Sequence, residues 1–279
     1  MENNKLPCYS VLMTVYKNDN PRWVDLALQS MLEQTVIPSE IVLIEDGPVS
    51  EEIESVISKY IAFNSVPIRL YKNDVNIGLG ATLKKGVELC RFNYIARMDS
   101  DDVSEKTRCE KILKLMVENP KISLAGSDVA EFEGDISNIK AYVRLPQNME
   151  DILRFAKKRV PIRHPSIIFK KDDVLEVGNY KPLLRSQEYD LVIRMLIKGK
   201  IISNVNEILL YQRIDDNFYK RRGGLKKGIT LAKQRYDFYK YGFYNYFEFL
   251  LFASINVGMS IMPNGLRAII YQKLLRKRS

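Results

Sequence analysis

The sequence predicts an α/β protein whose first half is a parallel sheet with helices on both faces. Two observations support this class. As far as Asp102, short apolar runs typical of buried strands alternate with longer segments in which apolar residues recur at helical spacing. The fourth of these strands also runs directly into acidic residues. Strict alternation indicates βαβ units, and in such sheets ligands bind beyond the carboxyl ends of the strands.

The elements of the first half follow in order along the chain. The predicted strands are Tyr9–Val15, Glu40–Glu45, Ile68–Tyr71 and Asn93–Met98. One predicted helix begins at Pro21, the next is Ser50–Phe63 and the third is Leu79–Cys90. Asn20 stands before Pro21, as a capping residue does before a proline in the first helical turn.

The pattern changes after Asp102 and predicts a mixed sheet with antiparallel additions that shape an acceptor site. The predicted helices are Glu105–Glu118 and a segment from the capping residue Ser186 to Lys198. The predicted strands are Ile122–Phe132, Ile139–Val143, Ser166–Phe169, Ile201–Val205 and Ile208–Arg213. We therefore divide residues 1–224 into a Rossmann-like half, 1–102, and an acceptor half, 103–224, followed by a C-terminal helical region, 225–279.

Composition limits the class of protein further. Of 279 residues, 46% are apolar and 28% are charged, which is ordinary globular composition. The three cysteines form no Cys-x-x-Cys pair, which argues against a disulfide scaffold or a zinc cluster and fits a reducing compartment. The polar start has no signal-peptide pattern, so we expect a cytosolic location.

The C-terminal region carries the excess positive charge. Residues 220–279 hold 13 Lys and Arg against 2 Asp and Glu, whereas residues 1–219 hold 30 against 32. Aromatic residues are dense between Tyr236 and Phe252, and the uncharged run Leu250–Met262 is shorter than the ~20 residues of a spanning helix. These features fit helices lying on an anionic membrane surface. The alternative is a pair of helices packed on the core with a solvated basic face.

The strongest chemical signal is Asp99-Ser100-Asp101-Asp102, here called the acidic motif, directly after the fourth predicted strand. Asp99 and Asp101 can converge on one hard divalent cation through oxygen atoms. Such an ion offsets negative charge on a diphosphate leaving group. The alternative is an acidic loop that caps the next helix, because Asp and Ser favour turns.

Six motifs in this order resemble the family 2 glycosyltransferases, which adopt the GT-A fold: SVLMTVYKND, IVLIEDGPVS, NDVNIGLGATLKKG, YIARMDSDD, RHPSIIFKK and SQEYDLVIRM. The resemblance covers roughly Tyr9 to Gly224. It is closest in character to the small enzymes that assemble bacterial O-antigen and capsule repeats.

The resemblance implies a donor site for a UDP-sugar with Mn²⁺ or Mg²⁺. Asp46 would accept a hydrogen bond from the uracil ring, and Arg97 would pair either with the diphosphate or with Asp99. Asn76 and Gly78 open the third helix, where a glycine backbone and free N–H groups suit an anion. The residues that the resemblance places at the nucleotide are Thr14, Tyr16, Asp46, Asn76, Gly78, Arg97, Asp99 and Ser100.

The resemblance also implies an acceptor site around the SQEYD motif. Glu188 matches the family's general base, although Gln187-Glu188 stands where many relatives have Glu-Asp. Asp190 either holds the local structure or binds acceptor hydroxyls. His164, the one histidine, either lines the acceptor site or is structural. Asp215 stands where relatives often place a metal-binding histidine, and we retain it as a metal candidate.

Together these features predict an inverting transfer of a hexose or N-acetylhexosamine from UDP to a sugar on a lipid diphosphate carrier. The expected location is the cytoplasmic side of the bacterial inner membrane, peripherally bound, with no nucleic acid partner. Two other classes stay open. A sugar-nucleotide nucleotidyltransferase has a related sheet but needs a glycine-rich loop, which residues 14–19 lack. A non-catalytic basic protein that binds nucleic acid or membrane would use the C-terminal charge.

Overall fold

A computed structural model describes residues 6–63, 65–183, 185–214 and 225–262, with side chains described from residue 228 onward in the last range. Along these ranges the chain forms one continuous mixed sheet with helices on both faces.

The first half is the predicted parallel unit. Its strands are β1 (Tyr9–Val15), β2 (Glu40–Glu45), β3 (Ile68–Lys72) and β4 (Tyr94–Met98), in the parallel order β3-β2-β1-β4. Its helices are α1 (Pro21–Leu32), α2 (Glu51–Phe63) and α3 (Leu79–Leu89). The predicted cap of α1 is confirmed, because the Asn20 side chain accepts a 2.9 Å hydrogen bond from the Arg22 amide. The carboxyl ends of β1, β2 and β4 therefore meet at one edge of the sheet.

The second half extends this sheet with strands of both directions. Its strands are β5 (Val103–Ser104), β6 (Ile122–Phe132), β7 (Ile139–Val143), β8 (Ile168–Lys170) and β9 (Ile201–Arg213). Its helices are α4 (Arg108–Glu118), α5 (Met149–Ala156), α6 (Lys171–Glu176) and α7 (Gln187–Ile197). The sheet continues from β4 through β8, β6 and β9 to β5, and β7 pairs with β6. The expected antiparallel additions are present at the β4–β8, β8–β6, β6–β7 and β9–β5 pairs.

Some predicted boundaries in this half are wrong. The segment predicted as the strand Ser166–Phe169 begins as a 3₁₀ turn, His164–Ser166, because Pro165 fixes a turn-compatible backbone before β8. The two runs predicted at 201–205 and 208–213 form the single strand β9, whose pairing with β6 shifts register between them. The elements β5, α5 and α6 were not predicted, since each is too short for a clear periodic pattern.

The core consists of two apolar clusters, one on each face of the sheet. The first includes Val24, Ile53 and Met116, from α1, α2 and α4. The second includes Leu83 and Val192, from α3 and α7. The predicted covering of both faces is therefore confirmed, and each strand of the parallel unit except β3 is nearly fully buried.

The C-terminal region forms a helical hairpin of α8 (Leu225–Lys240) and α9 (Tyr246–Ile261). A reciprocal capping box between Asn245 and Glu248 starts α9. Phe238 and Tyr244 are buried in the second core cluster, so the hairpin packs on the body of the protein. None of the described helices is long and apolar enough to span a bilayer. The boundary predicted at residue 224 lies outside the described residues.

Candidate active site

The acidic motif lies at the carboxyl end of β4, where the sequence predicted it. Carboxylate oxygens of Asp99, Asp101 and Asp102 lie within 4.8 Å of one another, so three acids gather here rather than the predicted pair. Burial raises the pKa of Asp101 to about 7, and repulsion by Asp99 and Asp19 adds to this effect. Asp102 is fully buried, and its pKa is raised well above the usual value mainly by the same desolvation.

Asp102 was part of the predicted motif, but its contacts depend on β9. Its Oδ1 accepts a 2.8 Å hydrogen bond from the Arg213 amide, and the Arg213 side chain donates a 3.0 Å hydrogen bond to the carbonyl of Asp101. Asp102 Oδ2 is buried and has no hydrogen-bond partner among the described residues. One oxygen of this carboxylate is therefore fixed, and the other remains available to a ligand.

Asp19 is a fourth acid at this site that sequence reasoning missed. Its carboxylate accepts a 3.0 Å hydrogen bond from the Tyr16 amide and another from the Ser100 side chain. Burial raises its pKa to about 6, and the nearby Asp99 adds to the shift. Asp19 is in the YKND segment after β1, whose end adjoins the end of β4. The position of Asp19 shortly after β1 was therefore the sequence signal that could have identified it as a site residue.

These carboxylates fit a divalent cation. Oxygen donors are the ligands that Mg²⁺ and Mn²⁺ prefer. The unpaired, buried Oδ2 of Asp102 and the raised pKa of Asp101 both indicate negative charge that the protein alone does not offset. The residues that would hold the ion are Asp99, Asp101 and Asp102.

Arg97 forms the ion pair with Asp99, which was one of its two predicted pairings. The side chain is 1% exposed and forms an ion pair with Asp99 while donating a 3.3 Å hydrogen bond to the Leu12 carbonyl. It therefore orients the first acid of the motif, and its predicted contact with the diphosphate stays a prediction.

Arg108 connects the acidic motif to the 3₁₀ turn. This fully buried residue of α4 donates hydrogen bonds of 3.0 Å to the Arg97 carbonyl and 2.5 Å to the Pro165 carbonyl. A buried guanidinium that satisfies carbonyls of two segments fixes their separation. Arg108 thereby places the turn that contains His164 next to the end of β4.

Asp46 organises the loop that opens α3. Its Oδ1 accepts a 2.9 Å hydrogen bond from the Ile77 amide, and its Oδ2 accepts a 3.0 Å hydrogen bond from the Gly78 amide. The Asn76 side chain donates a 3.0 Å hydrogen bond back to the Asp46 carbonyl. The predicted nucleotide residues Asp46, Asn76 and Gly78 are therefore in direct contact, and Asp46 also has a structural role. Its predicted bond to uracil stays a prediction.

Thr14, Tyr16 and Ser100 lie at the same edge of the sheet. Thr14 is at the end of β1 and nearly buried, whereas the Tyr16 side chain is 41% exposed. Ser100 is nearly buried beside Asp19. The carboxyl ends of β1, β2 and β4 thus bring together the predicted donor-binding residues at one edge of the sheet, as expected for a parallel sheet.

Glu188 lies in the first turn of α7 and is half-buried. Burial raises its pKa, the negative charge of Asp99 raises it further, and Arg163 opposes the shift. The charge of Asp99 therefore acts on the predicted base, although the two residues are far apart in sequence. A helix N-terminus favours the ionised form that a base requires.

His164 lies beside this site as a neutral residue. Its Nε2 is 2.9 Å from the Tyr180 hydroxyl, and burial, with repulsion from Arg97, lowers its pKa to about 3. Glu188 and Asp99 both act on the Tyr180 hydroxyl, raising its pKa together with burial. Sequence reasoning missed Tyr180, because an isolated tyrosine between helices carries no motif signal. Tyr180 therefore feels the charges of both carboxylates and contacts His164, and the acceptor role of His164 stays a prediction.

Asp190 makes the contacts of a residue that holds the local structure, which was one of its two predicted roles. It is 2% exposed, and its Oδ2 forms a 2.7 Å ion pair with Arg194 while Oδ1 lies 3.5 Å from Lys181 Nζ. Arg194 in turn donates a 2.7 Å hydrogen bond to the Asn179 carbonyl. Both carboxylate oxygens of Asp190 therefore face cations, and its predicted contact with acceptor hydroxyls stays a prediction. Asp215, the remaining metal candidate, lies outside the described residues.

The fold and this site together define a class. A Rossmann-like parallel half with clustered acids after its fourth strand, joined to a mixed half, agrees with the GT-A fold of glycosyltransferases that the sequence motifs predicted. The glycosyl transferase family 2 model matches residues 10–177. The chain belongs to this family, as the sequence motifs indicated, and not to the nucleotidyltransferases considered above.

Curated relatives agree with this assignment. A UDP-Gal:alpha-D-GlcNAc-diphosphoundecaprenol beta-1,3-galactosyltransferase of Escherichia coli is 33% identical over 271 residues, covering 97% of this chain and 98% of the relative. The amylovoran biosynthesis glycosyltransferase AmsE of Erwinia amylovora is 31% identical over 268 residues, covering 95% and 98%.

Solved structures confirm the GT-A fold. The mannosyltransferase PcManGT of Pyrobaculum calidifontis, solved with GDP-Man and Mn²⁺, superposes with a TM-score of 0.67 at 11% identity. The match covers 91% of this chain and 70% of PcManGT. At this identity the likeness concerns the fold alone.

Proposed function

We propose that this protein is an inverting, metal-dependent glycosyltransferase that moves a hexose or N-acetylhexosamine from a UDP-sugar to a sugar on a lipid diphosphate carrier, in the synthesis of a bacterial O-antigen or capsule. The observation that supports the proposal is the cluster of three carboxylates after β4, together with the charge of Asp99 acting on Glu188. A base near a diphosphate-binding motif suits a single displacement.

In the proposed reaction Glu188 takes the proton of the acceptor hydroxyl. The hydroxyl oxygen forms a bond to the anomeric carbon while the bond from that carbon to the UDP oxygen breaks. The α linkage of the donor becomes a β linkage, and UDP leaves with the bonding electron pair. His164, whose Nε2 lies 2.9 Å from the buried Tyr180 hydroxyl, is a neutral imidazole that does not compete for this proton.

The proposed cofactor is Mn²⁺ or Mg²⁺ held by Asp99, Asp101 and Asp102. When bound, such an ion neutralises negative charge on a diphosphate. Asp19 and Arg97 keep these acids in place through Ser100 and Asp99. The nucleoside would be held at the adjoining edge of the sheet by the other residues predicted to bind the donor: Thr14, Tyr16, Asp46, Asn76 and Gly78.

The choice of acceptor follows the Escherichia coli relative, which is named for a GlcNAc-diphosphoundecaprenol acceptor and a beta-1,3 product. Its alignment along nearly the whole of both chains supports the same acceptor class here. A β product from an α-linked UDP-sugar also agrees with inversion. The donor sugar depends on the shape of the pocket, and galactose is the first candidate.

We also propose that α9 contacts the surface of an anionic membrane. Its outward face is apolar and exposes Phe247, Leu250, Leu251, Ile255 and Ile261 at helical spacing. Phe247 is 80% exposed, although exposed phenylalanine is costly in water. The positive charge concentrated after residue 219 complements an anionic leaflet. Peripheral attachment on the cytoplasmic side would bring the site to a lipid-linked acceptor.

A donor screen tests the proposed function. Purified protein with Mn²⁺ is given UDP-Gal, UDP-Glc, UDP-GalNAc or UDP-GlcNAc and a synthetic GlcNAc-diphosphate lipid, and the anomeric configuration of the product is read by NMR. We expect a β-linked product with one of these donors and a loss of turnover of about 10²-fold or more in Glu188→Gln with UDP affinity retained. An α-linked product, or near-normal turnover in Glu188→Gln, would refute the inverting scheme with this base.

A further inference from the structure

The helix α8 contacts α7 on both sides of Glu188. Gln234 Nε2 donates a 3.0 Å hydrogen bond to the carbonyl of Ser186, two residues before Glu188. Arg235 Nη1 donates a hydrogen bond to the hydroxyl of Tyr189, the residue after Glu188. Two adjacent residues of the C-terminal hairpin therefore hold the turn that carries the proposed base.

Ser186, which accepts the first of these two hydrogen bonds, has an unusual backbone conformation. Ser186 has φ 56° and ψ 34°, in the left-handed region, and its side chain makes no capping hydrogen bond to α7. A residue other than glycine in this region costs about 1–3 kcal/mol and persists where its surroundings fix it. The Ser186 carbonyl also accepts a 3.2 Å hydrogen bond from Asp190, which begins the α-helical pattern. Gln234 thus binds the carbonyl that sets the starting direction of α7.

The Tyr189 side is held by a buried guanidinium. Arg235 is 5% exposed, and its guanidinium donates hydrogen bonds to the hydroxyls of Tyr189 and Tyr244. Its guanidinium lies 4.9 Å from the ring centroid of Tyr189 and 5.7 Å from that of Tyr244, and its Nη2 donates a 2.9 Å hydrogen bond to the Lys158 carbonyl. Buried polar contacts of this kind fix one arrangement, because each lost partner leaves an unsatisfied group.

We infer that Gln234 and Arg235 of the C-terminal hairpin are positioning residues for Glu188. They set the direction of the first turn of α7, and so the distance from the Glu188 carboxylate to the acceptor hydroxyl. The inference rests on the proposed role of Glu188 as the base. It assigns to the C-terminal hairpin a part in the transfer step that is separate from any contact with a membrane.

The variant Gln234→Met tests the inference, since it keeps the length of the side chain and removes the donor to Ser186. The matched control is Lys233→Met, the same replacement at the exposed neighbouring position on α8. We expect Gln234→Met to lower kcat about 10- to 100-fold, because small displacements of a reacting group are costly, with the donor KM and UDP affinity retained. Lys233→Met should match the wild type. A wild-type kcat in Gln234→Met would overturn the inference, as would a parallel loss of kcat and UDP affinity.

A double-mutant cycle separates this inference from the proposed function. In the Glu188→Gln background, a residue that acts through Glu188 has nothing left to position, so Gln234→Met should cause no further loss of residual turnover. A loss of the same factor in both backgrounds would overturn the inference and leave Glu188 as the base. Near-normal turnover in Glu188→Gln alone would instead remove the base assignment itself.

A second variant keeps the test decisive if Gln234→Met does not fold. Tyr189→Phe retains the buried ring and removes the hydroxyl that accepts from Arg235 and donates to the Ala156 carbonyl. We expect the same pattern of lowered kcat with retained UDP affinity, and the same absence of a further effect beside Glu188→Gln. Unchanged kcat in a folded Tyr189→Phe would overturn the role of Arg235.

Discussion

The amide of Arg213 donates a 2.8 Å hydrogen bond to Oδ1 of Asp102, across 111 residues of sequence. The Arg213 guanidinium lies between two rings, 4.6 Å from the Trp23 centroid and 4.5 Å from the Phe132 centroid. Each ring face attracts the guanidinium electrostatically and favours this position. The last residue of β9 therefore fixes the acidic motif from the opposite half of the protein.

Replacing Arg213 should weaken the donor site without removing an acid. In Arg213→Ala the backbone bond to Asp102 remains possible, but the hydrogen bond to the Asp101 carbonyl and the stacking on two rings are lost. We expect a lower melting temperature and weaker Mn²⁺-dependent UDP binding, by about tenfold for a loss of ~1.4 kcal/mol. Calorimetric titration with UDP and Mn²⁺ measures this. Arg22→Ala, on the exposed side of α1, is the control. Equal UDP affinity in both variants would contradict the prediction.

The acidic motif should destabilise the metal-free protein at neutral pH. Because burial raises the pKa of Asp101 to about 7, the folded state binds a proton that the unfolded state releases above its usual pKa of 3.8. The stability associated with that proton is present below the unfolded pKa and is lost as the pH rises through about 7. In chelator, Asp101→Asn should therefore be more stable than the wild type near neutral pH.

Denaturant unfolding at two pH values checks this prediction. The advantage of Asp101→Asn should shrink as the pH falls toward about 5, where the wild-type acid is protonated. Added Mn²⁺ should stabilise the wild type more than the variant, because ligand binding to the folded state adds stability. A stability difference that does not change with pH would argue against a strongly shifted acid at this position.

Turnover should fall on the acid side at a pH above that of an ordinary glutamate. Burial, with a contribution from Asp99, raises the pKa of Glu188 above 4.5, so the ionised base is lost as the pH falls through the raised value. Arg163 acts in the opposite direction. Arg163→Gln should therefore move the acid limb of the kcat profile to higher pH, whereas the exposed control Arg154→Gln should leave it in place. An acid limb that moves to lower pH in Arg163→Gln would contradict the sign.

A methyl group at Gly47 should disrupt the loop that contains Asn76 and Gly78, two of the residues predicted to bind the nucleotide. Gly47 has φ 84°, and a Cβ there would lie 2.6 Å from the Asn76 amide nitrogen. The control Gly199→Ala has a similar φ of 71° and meets nothing within 4 Å, so it reports the backbone strain alone. We expect Gly47→Ala to lower the melting temperature more than Gly199→Ala and to weaken UDP binding. Equal melting temperatures would show that the loop moves aside without cost.

The exposed face of α9 should determine attachment to vesicles. Phe247→Ser should reduce co-sedimentation with vesicles that contain anionic lipid. The loss of one large apolar side chain should weaken the free energy of membrane binding by about 1.5–3 kcal/mol. Phe63→Ser is the matched control, because Phe63 is 77% exposed on α2 and Phe247 is 80% exposed on α9. An equal loss of binding in both variants, or none in Phe247→Ser, would argue against α9 as the contact. Turnover on a soluble acceptor should not change in either variant.

Much of the fold could be predicted from local patterns. The bounds of β1, β2, β6 and β7 were predicted to the residue, because apolar runs of these lengths have few alternatives in a buried sheet. The single strand β9 was predicted as two, since a register shift leaves a polar break in the pattern. The short elements β5, α5 and α6 were missed because they owe their structure to neighbours and not to their own periodicity.

The candidate site was predicted where a motif lies on one segment and missed where it depends on several. Asp99, Asp101 and Glu188 follow from motifs, whereas Asp19 and Tyr180 became recognisable through their contacts. Arg97 and Asp190 each had two alternative roles, and the structure shows the ion pairs of the structural alternative, with partners close in sequence. The burial of these pairs, by contrast, depends on segments that are distant in the sequence.

The sequence by itself determined the alternation of strands and helices, the family and the acidic motif at the end of β4. Each follows from residues close together in the chain, whose spacing is set by the geometry of helix and strand. Only the tertiary structure decided that Arg213 fixes Asp102, that the charge of Asp99 acts on Glu188 and that Gln234 holds the start of α7. Those relationships depend on how the elements pack, because burial and neighbouring charges act through space and not along the chain.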